Sequence, residues 1–255
     1  MRKIIYLLGL VLLISVVFSS CEKDEDSEPR ERKLIPIKIT EYEDDVLEGE
    51  TVFEYDENNN PVKVDYGEGY YNTLEYDSDG RLALTRVYED NSLNSYETYE
   101  YNSYNQIIKI QYYNQAGEAG SYYVHEYDAN GNVIKKTQYG TNDAVVLYYA
   151  YEHDSKGNVI NTKYYWADYQ SGLVSTDEYR ETTYQYDDKN NIYKSVDSPF
   201  LWETNINNVL VKTFTDHYGN NYSVTYNYVY VYNDDNYPTE YTDDNERYVI
   251  EYKEI

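Results

Sequence analysis

The sequence predicts an all-β protein, an antiparallel up-and-down meander of about 16 strands forming a strongly curved sheet or barrel. Three observations carry that reading. A hairpin motif recurs through most of the chain, its copies lie at a spacing that suits paired strands, and the composition is dominated by 38 tyrosines against one cysteine and one methionine.

The motif is cleanest at 126–139, EYDANGNVIKKTQY. Asp128 opens a turn in which its side chain can accept backbone N–H groups further on, and Gly131 supplies the positive φ that closes the loop with a bulge. The flanking runs are rich in aromatic and β-branched residues, which suit a pleated surface. The same grammar recurs as EYDENNNPVKV (54–64), EYDSDGRLALT (75–85), EYNSYNQIIKI (100–110), EHDSKGNVINT (152–162), QYDDKNNIYKS (185–195) and VYNDDNYPTEY (231–241). With the Tyr before the turn as marker (His153 in the fifth copy), the copies are separated by 21, 25, 26, 26, 33 and 46 residues. An interval near 25 fits two strands of roughly eight residues and two short turns.

At the N-terminus, Arg2 and Lys3 precede an apolar run over 4–18, then Ser19, Ser20 and Cys21. This reads as an export signal over 1–20, its run shorter than the ~18–20 residues of a membrane span. Cys21 stands where bacterial lipoproteins carry the cysteine that is lipidated, although Phe18 occupies the position usually held by Leu. The expectation is an outer-membrane lipoprotein, with acyl chains on Cys21 supplying a stable anchor. Glu22-Lys23-Asp24-Glu25-Asp26 resembles the lysine-plus-acidic signal that sends Bacteroides-type lipoproteins to the cell surface; the alternative is the periplasmic face. Residues 21–33 then form an acidic, flexible tether broken by Pro29.

A single β-domain is expected over 34–255. Strands are predicted at 34–42 and 51–56, and the repeats continue to about 165. Acids precede the markers at Glu54, Glu75, Glu100, Glu126 and Glu152, and lysines follow eight residues after them at Lys63, Lys109, Lys135 and Lys194. On paired strands these would form a charge stripe worth ~0.2–1 kcal/mol per pair. The strands do not alternate cleanly, because each tyrosine has an apolar body and a wet hydroxyl, so the pattern leaves the core face open. At 196–208, VDSPFLWETNINN interrupts the grammar and predicts a loop that caps the sheet or carries a site. Strands resume at 209–214, 222–232, 239–241 and 247–252.

The repeat texture resembles the YD (Rhs-type) repeats of bacterial surface proteins. Together with the lipidation signal, SPFLWETNINNVLVKTF and the closing YVYNDDNYPTEYTDDNERYVIEY, it is more similar to an uncharacterised Bacteroides-type surface lipoprotein domain described as porin-like. That resemblance implies a porin-like β-fold over 34–255 and brings no catalytic residues. Charged and amide residues interrupt almost every strand, so the expectation is a soluble barrel on a tether and not a membrane-spanning one.

The chemistry is sparse. A net charge of −26, near −28 once the signal is removed, argues against a nucleic-acid partner. His125, His153 and His217 lie on separate repeats without metal-ligand spacing, and no nucleophile, phosphate-loop or zinc-protease motif is present. No cofactor, metal or catalytic residue is expected. The reading is a non-enzymatic surface lipoprotein that binds an extracellular glycan or protein, with Trp166, Trp202 and Phe200 as ligand-binding residues. The alternatives are an envelope shell protein without a discrete site, and a hydrolase with its site near 196–208.

Overall fold

The computed structural model describes residues 32–167, 174, 179–196, 206–217, 222–243 and 246–255. They form sixteen strands, the number expected: β1 Leu34–Glu43, β2 Val46–Tyr55, β3 Pro61–Asp65, β4 Tyr71–Tyr76, β5 Leu82–Glu89, β6 Ser92–Tyr101, β7 Ile107–Asn114 and β8 Ala119–Tyr127. The second half holds β9 Val133–Tyr139, β10 Val145–His153, β11 Val159–Trp166, β12 Arg180–Tyr186, β13 Val209–Asp216, β14 Tyr222–Tyr232, β15 Pro238–Asp243 and β16 Glu246–Glu254. Each strand pairs antiparallel with its neighbours in sequence, and β1 pairs with β16, so the meander is a closed barrel. Closure leaves no strand edge to template aggregation.

The motif turns all lie at one end. Asp128 Oδ1 accepts the backbone N–H groups of Asn130 and Asn132 at 2.8 and 2.9 Å, and Oδ2 accepts the Asn132 amide at 3.0 Å. Gly131 sits at φ 89°, where a side chain is costly. In the copy at 100–110, Asn105 takes that left-handed place at φ 60°. At the opposite end, Asp44-Asp45 and Asp90-Asn91 make tight hairpins with both residues at positive φ, the geometry whose twist matches the strands.

Which face is the core is settled by register. Phe53 opposes Val64, Val64 opposes Asn72, and Leu74 shares that face. Phe53, Val64, Leu74 and Leu82 form the buried cluster, with Ile39, Tyr55, Tyr76, Tyr99 and Tyr193 packed on it. The marker tyrosines therefore point inward, and the acids that precede them point out.

The sixth copy departs from the expected hairpin. Residues 191–195 are not a strand; β12 ends at Tyr186 and its partner strand is β13, so 187–208 is one insertion inside the turn. Asp187 still acts as the turn acid, but Asn208 closes the loop, donating from its backbone N–H at 3.0 Å and its side chain at 3.1 Å. The break expected at 196–208 is thus longer and starts earlier. Asn208 stands in the place of Asn132, and a buried turn asparagine tolerates a long excursion because its two bonds fix both ends of it.

Candidate functional site: the inner wall

The marker tyrosines build a ring around the turn end of the barrel. Tyr127 donates to the carbonyl of Ile107 at 2.7 Å, Tyr101 to Leu82 at 2.7 Å, Tyr76 to Pro61 at 2.8 Å and Tyr55 to Pro36 at 2.6 Å. Tyr186 and Tyr252 do the same to Val159 and Pro238 at 2.5 and 2.8 Å. Each accepting residue that follows a motif turn pairs with the marker before that turn, at a bulge, and Pro36 pairs with Tyr252 across the closing strands, so one hairpin is tied to the next around the circumference. Burial raises the phenols of Tyr55, Tyr101, Tyr127, Tyr186 and Tyr252, Tyr101 and Tyr127 to about 12, so they are donors at every physiological pH.

The described parts of the insertion, 187–196 and 206–208, lie at this same end. Asn207 donates its backbone N–H to Asn158 Oδ1 at 3.0 Å and accepts from Asn158 Nδ2 at 3.1 Å. Asn190 donates to the Asn236 carbonyl at 3.0 Å, so the excursion bridges two other motif turns. Between these points Tyr193 enters the core, edge-on to Phe53 at 6.0 Å, and Ser195 Oγ meets the Tyr237 hydroxyl at 2.6 Å.

Away from the turn end, the inner wall becomes polar and aromatic. Thr85, Glu97 and Tyr112 face one another in register across β5, β6 and β7. The Glu97 carboxylate accepts from the Tyr99 hydroxyl and from Tyr112; burial raises its pKa, and Lys136 counteracts this. Lys136 lies inward on β9 between His125 and Tyr149, its ammonium 4.6 Å from the Tyr123 ring centre. Burial and the Lys136 charge hold His125 down at about 4, while Nδ1 contacts the Ile107 carbonyl at 3.1 Å.

Aromatic rings continue along this wall. Tyr112 and Tyr123 meet edge-on at 5.8 Å, Tyr149 and Tyr164 lie 5.1 Å apart, and Tyr164 and Trp166 5.4 Å apart. The Arg180 guanidinium sits 5.5 Å from the Trp166 ring centre and pairs at 3.2 Å with the buried carboxylate of Asp216. Rings beside fixed charges can stack on apolar faces of a ligand and hydrogen-bond its hydroxyls.

The outer wall differs. Glu54, Glu100 and Glu126 oppose Lys63, Lys109 and Lys135 in register, at 3.8, 3.5 and 3.3 Å. The expected stripe is therefore present for three of its four lysines; Lys194 instead lies in the insertion and donates to Asn190 Oδ1 at 2.7 Å. Lys109 and Lys135 also lie over Tyr122 and Tyr148, which stack on Tyr139 and Tyr165 across the next strands. These exposed pairs contribute little each, and the stacked rings add cross-strand contact. A depression of about 440 Å³ on this wall is lined by Lys109, Gln111, Gly120, Tyr122, Gly140 and Asp143 among others.

Of the residues singled out from sequence, Trp166 falls on the inner wall at the end of β11. Phe200, Trp202 and Cys21 lie outside the described residues. The three histidines stay apart: His125 is buried inside, His153 holds a marker position, and His217 lies 3.4 Å from Glu181 beside Tyr179. Sequence reasoning missed Glu97, Lys136, Arg180 and the inner tyrosines, because their importance depends on which face is inside.

No protein-family model matches the sequence, and no curated protein does. Among solved structures the chain is similar to a porin-like protein from Bacteroides uniformis ATCC 8492, at 11% identity and a TM-score of 0.55, covering 86% of this chain and 96% of that one. It is also similar to a porin-like protein from Bacteroides vulgatus ATCC 8482, at 11% identity and a TM-score of 0.50, covering 87% and 99%. At this identity the likeness shows the fold, a porin-like β-barrel.

Proposed function

We propose that this chain is a non-enzymatic lipoprotein, anchored to the outer membrane through Cys21 and exposed at the cell surface. Its porin-like barrel stands clear of the bilayer and takes an extracellular glycan on its inner wall. The observation that carries the binding reading is the aromatic strip Tyr149–Tyr164–Trp166 with Arg180 over the indole. The Glu–Lys pairs of the outer wall support the non-spanning reading, since charges facing lipid cost up to about 2–4 kcal/mol each near mid-bilayer.

The test is binding of the purified full chain to a panel of neutral and acidic polysaccharides, in parallel with Trp166→Ala. Saturable binding that drops at least tenfold in the variant supports the reading; no binding to any panel member overturns it. Monodisperse behaviour of Cys21→Ala chain without detergent supports the tethered barrel, and a strict need for detergent overturns that part. Accessibility to protease on intact cells separates the surface from the periplasmic face.

A second reading, an envelope shell without a discrete site, is favoured by the tyrosine ring and by Tyr193, which fill the turn end with the protein's own side chains. A protein ligand in place of a glycan would appear as a stable complex on pull-down with no polysaccharide affinity.

A further inference from the structure

Two departures from the repeat meet on the outer wall. Counted by the 26-residue interval between the markers Tyr127 and His153, Gly120 on β8 corresponds to Val146 on β10, which is 42% exposed. Asp143 in the β9–β10 turn likewise corresponds to Gly117 in the β7–β8 turn. Both turns close with the same backbone bond, Gly117 N–H to the Asn114 carbonyl at 3.0 Å and Asp143 N–H to the Gly140 carbonyl at 3.1 Å. Both residues hold the left-handed slot, at φ 82° and 59°, where glycine fits without strain. Gly120 lies outside the left-handed region, and a Cβ built there meets nothing closer than the Tyr112 carbonyl oxygen at 3.5 Å. Neither backbone nor packing asks for glycine at 120 or for aspartate at 143.

Both positions line the depression of about 440 Å³, together with Lys109, Gln111, Tyr122 and Thr141, and its volume suits a small molecule. Tyr122 links the charges there: its hydroxyl donates to Asp143 Oδ1 at 2.9 Å, and the Lys109 ammonium stands 4.8 Å from its ring centre. Lys109 also pairs with Glu100 at 3.5 Å, which leaves donors of the ammonium over. Asp143 Oδ2 has no partner among the described residues. Gln111 Nε2 donates to the carbonyls of Tyr112, Gly120 and Ser121 at 3.0, 3.1 and 3.3 Å, where the β7–β8 register shifts. The amide nitrogen thus seals the bulge and leaves Oε1 as a second open acceptor. Lys109 on β7 and Tyr139 on β9, the latter stacked at 5.0 Å, flank the Tyr122 ring, so no face is left for a sugar to stack on.

We propose that this depression binds a small zwitterion, a free amino acid or dipeptide. Its carboxylate pairs with Lys109, its ammonium is taken by Asp143 Oδ2 and Gln111 Oε1, and its body lies over Gly120. Number and sign match: one cation and two acceptors flank a floor without a side chain, and a ligand with a single charge uses one end alone. The site is separate from the inner wall and stands whether or not that wall binds a glycan. Because the depression is open to solvent, salt screens its charges and weakens binding.

The experiment is calorimetric titration of the full chain at low ionic strength with L-alanine, L-glutamine and L-alanyl-L-alanine, with propionate and propylamine as single-charge controls. The expected result is saturable binding of at least one zwitterion, at least fivefold tighter than either control and weakened by added salt. No binding of any zwitterion, or equal binding of the controls, overturns the inference. Gly120→Val restores the side chain that Val146 carries one hairpin on. It is expected to keep or raise the melting temperature and to weaken binding at least tenfold; wild-type affinity in this variant overturns the inference. If it melts lower or does not fold, Asp143→Asn decides, since its amide oxygen still accepts from Tyr122 while the charge that holds the ammonium is gone. Binding at least fivefold weaker in Asp143→Asn supports the site, and wild-type binding overturns it.

Discussion

The hydroxyl of Tyr127 donates to the carbonyl of Ile107 at 2.7 Å, reaching back from one hairpin to the first residue of the second strand of the hairpin before it. Because Ile107 pairs with Tyr101, and Tyr101 in turn donates to Leu82, the contact is one link of a chain. The repeated tyrosine is therefore a fastener between repeats, and its position before the turn follows from the need to reach the neighbouring bulge.

Tyr127→Phe removes that link and keeps the ring. A lost buried hydrogen bond costs about 1–1.5 kcal/mol, and for a domain of this size that lowers Tm by roughly 2–4 °C per kcal/mol. The same change at Tyr55, far around the ring, should add to it within about 0.5 kcal/mol. Differential scanning calorimetry of the two single variants and the double variant tests this; a melting temperature unmoved by either substitution would sink the fastener role.

His153 is one break in the ring; at the last marker, Tyr232 donates to the Asp187 carboxylate in place of a strand carbonyl. His153 pairs with Val159 as the tyrosines pair with their partners, yet the copy before it offers the Val133 carbonyl without a marker phenol. His153→Tyr is expected to supply the missing donor and raise stability by about 1 kcal/mol. Urea titration checks the sign. A loss of stability would mean that this sector of the wall has been shaped around the smaller ring.

His125 makes stability depend on pH. Burial first, and the Lys136 charge second, lower its folded pKa to about 4, against the Ile107 carbonyl that favours the proton. The folded protein thus binds fewer protons than the unfolded chain in this range. Its contribution is fully present above about 6.5 and is lost as pH falls toward 4. Between pH 7 and 4.5 the wild type should lose about 2–3 kcal/mol more than His125→Phe, which cannot titrate. Unfolding curves at both pH values decide it, and parallel losses in the two proteins would falsify the assignment.

How much of this could be read from the sequence depends on the residue. The turns were legible because Asp128, Asn132 and Gly131 are chosen by backbone geometry, which acts locally. The core face was harder, because tyrosine serves both walls: Tyr123 is inside and Tyr122 outside. A column signal was nevertheless present. Two residues before each marker stand Phe53, Leu74, Tyr99, His125, Tyr151, Tyr184 and Tyr230, all apolar or ring-bearing, while one residue before stand five glutamates, a glutamine and, in the last copy, Val231. The insertion misled because Asn190-Asn191 mimics a turn; the true closing copy, Asn208-Val209-Leu210 with Lys212-Thr213, repeats Asn132-Val133-Ile134 with Lys136-Thr137. Glu97 and Lys136 had no local signal at all, since they lie three strands apart and act on one another through charge across the wall.

Tyr193 tests whether the insertion is a structural plug. Its ring packs on Phe53, and its neighbours in the insertion are held to two other turns of the turn end, Asn190 and Ser195 to Asn236 and Tyr237, and Asn207 to Asn158. Truncating a large aromatic on a packed cluster costs about 2–4 kcal/mol when the site cannot collapse, and a closed barrel collapses poorly because its strands are tied on both sides. Tyr193→Ala should therefore destabilise strongly, whereas Asn208→Ala, which removes the side-chain bonds to Asp187 and to the Asn190 carbonyl, should cost about 2 kcal/mol. If the plug only fills the turn end, Tyr193→Ala leaves glycan affinity at the far wall within twofold once the protein is folded at low temperature. A large drop in affinity with a small drop in stability would instead make Tyr193 part of the ligand site, and would shift that site from the strip at Trp166 to the turn end of the barrel.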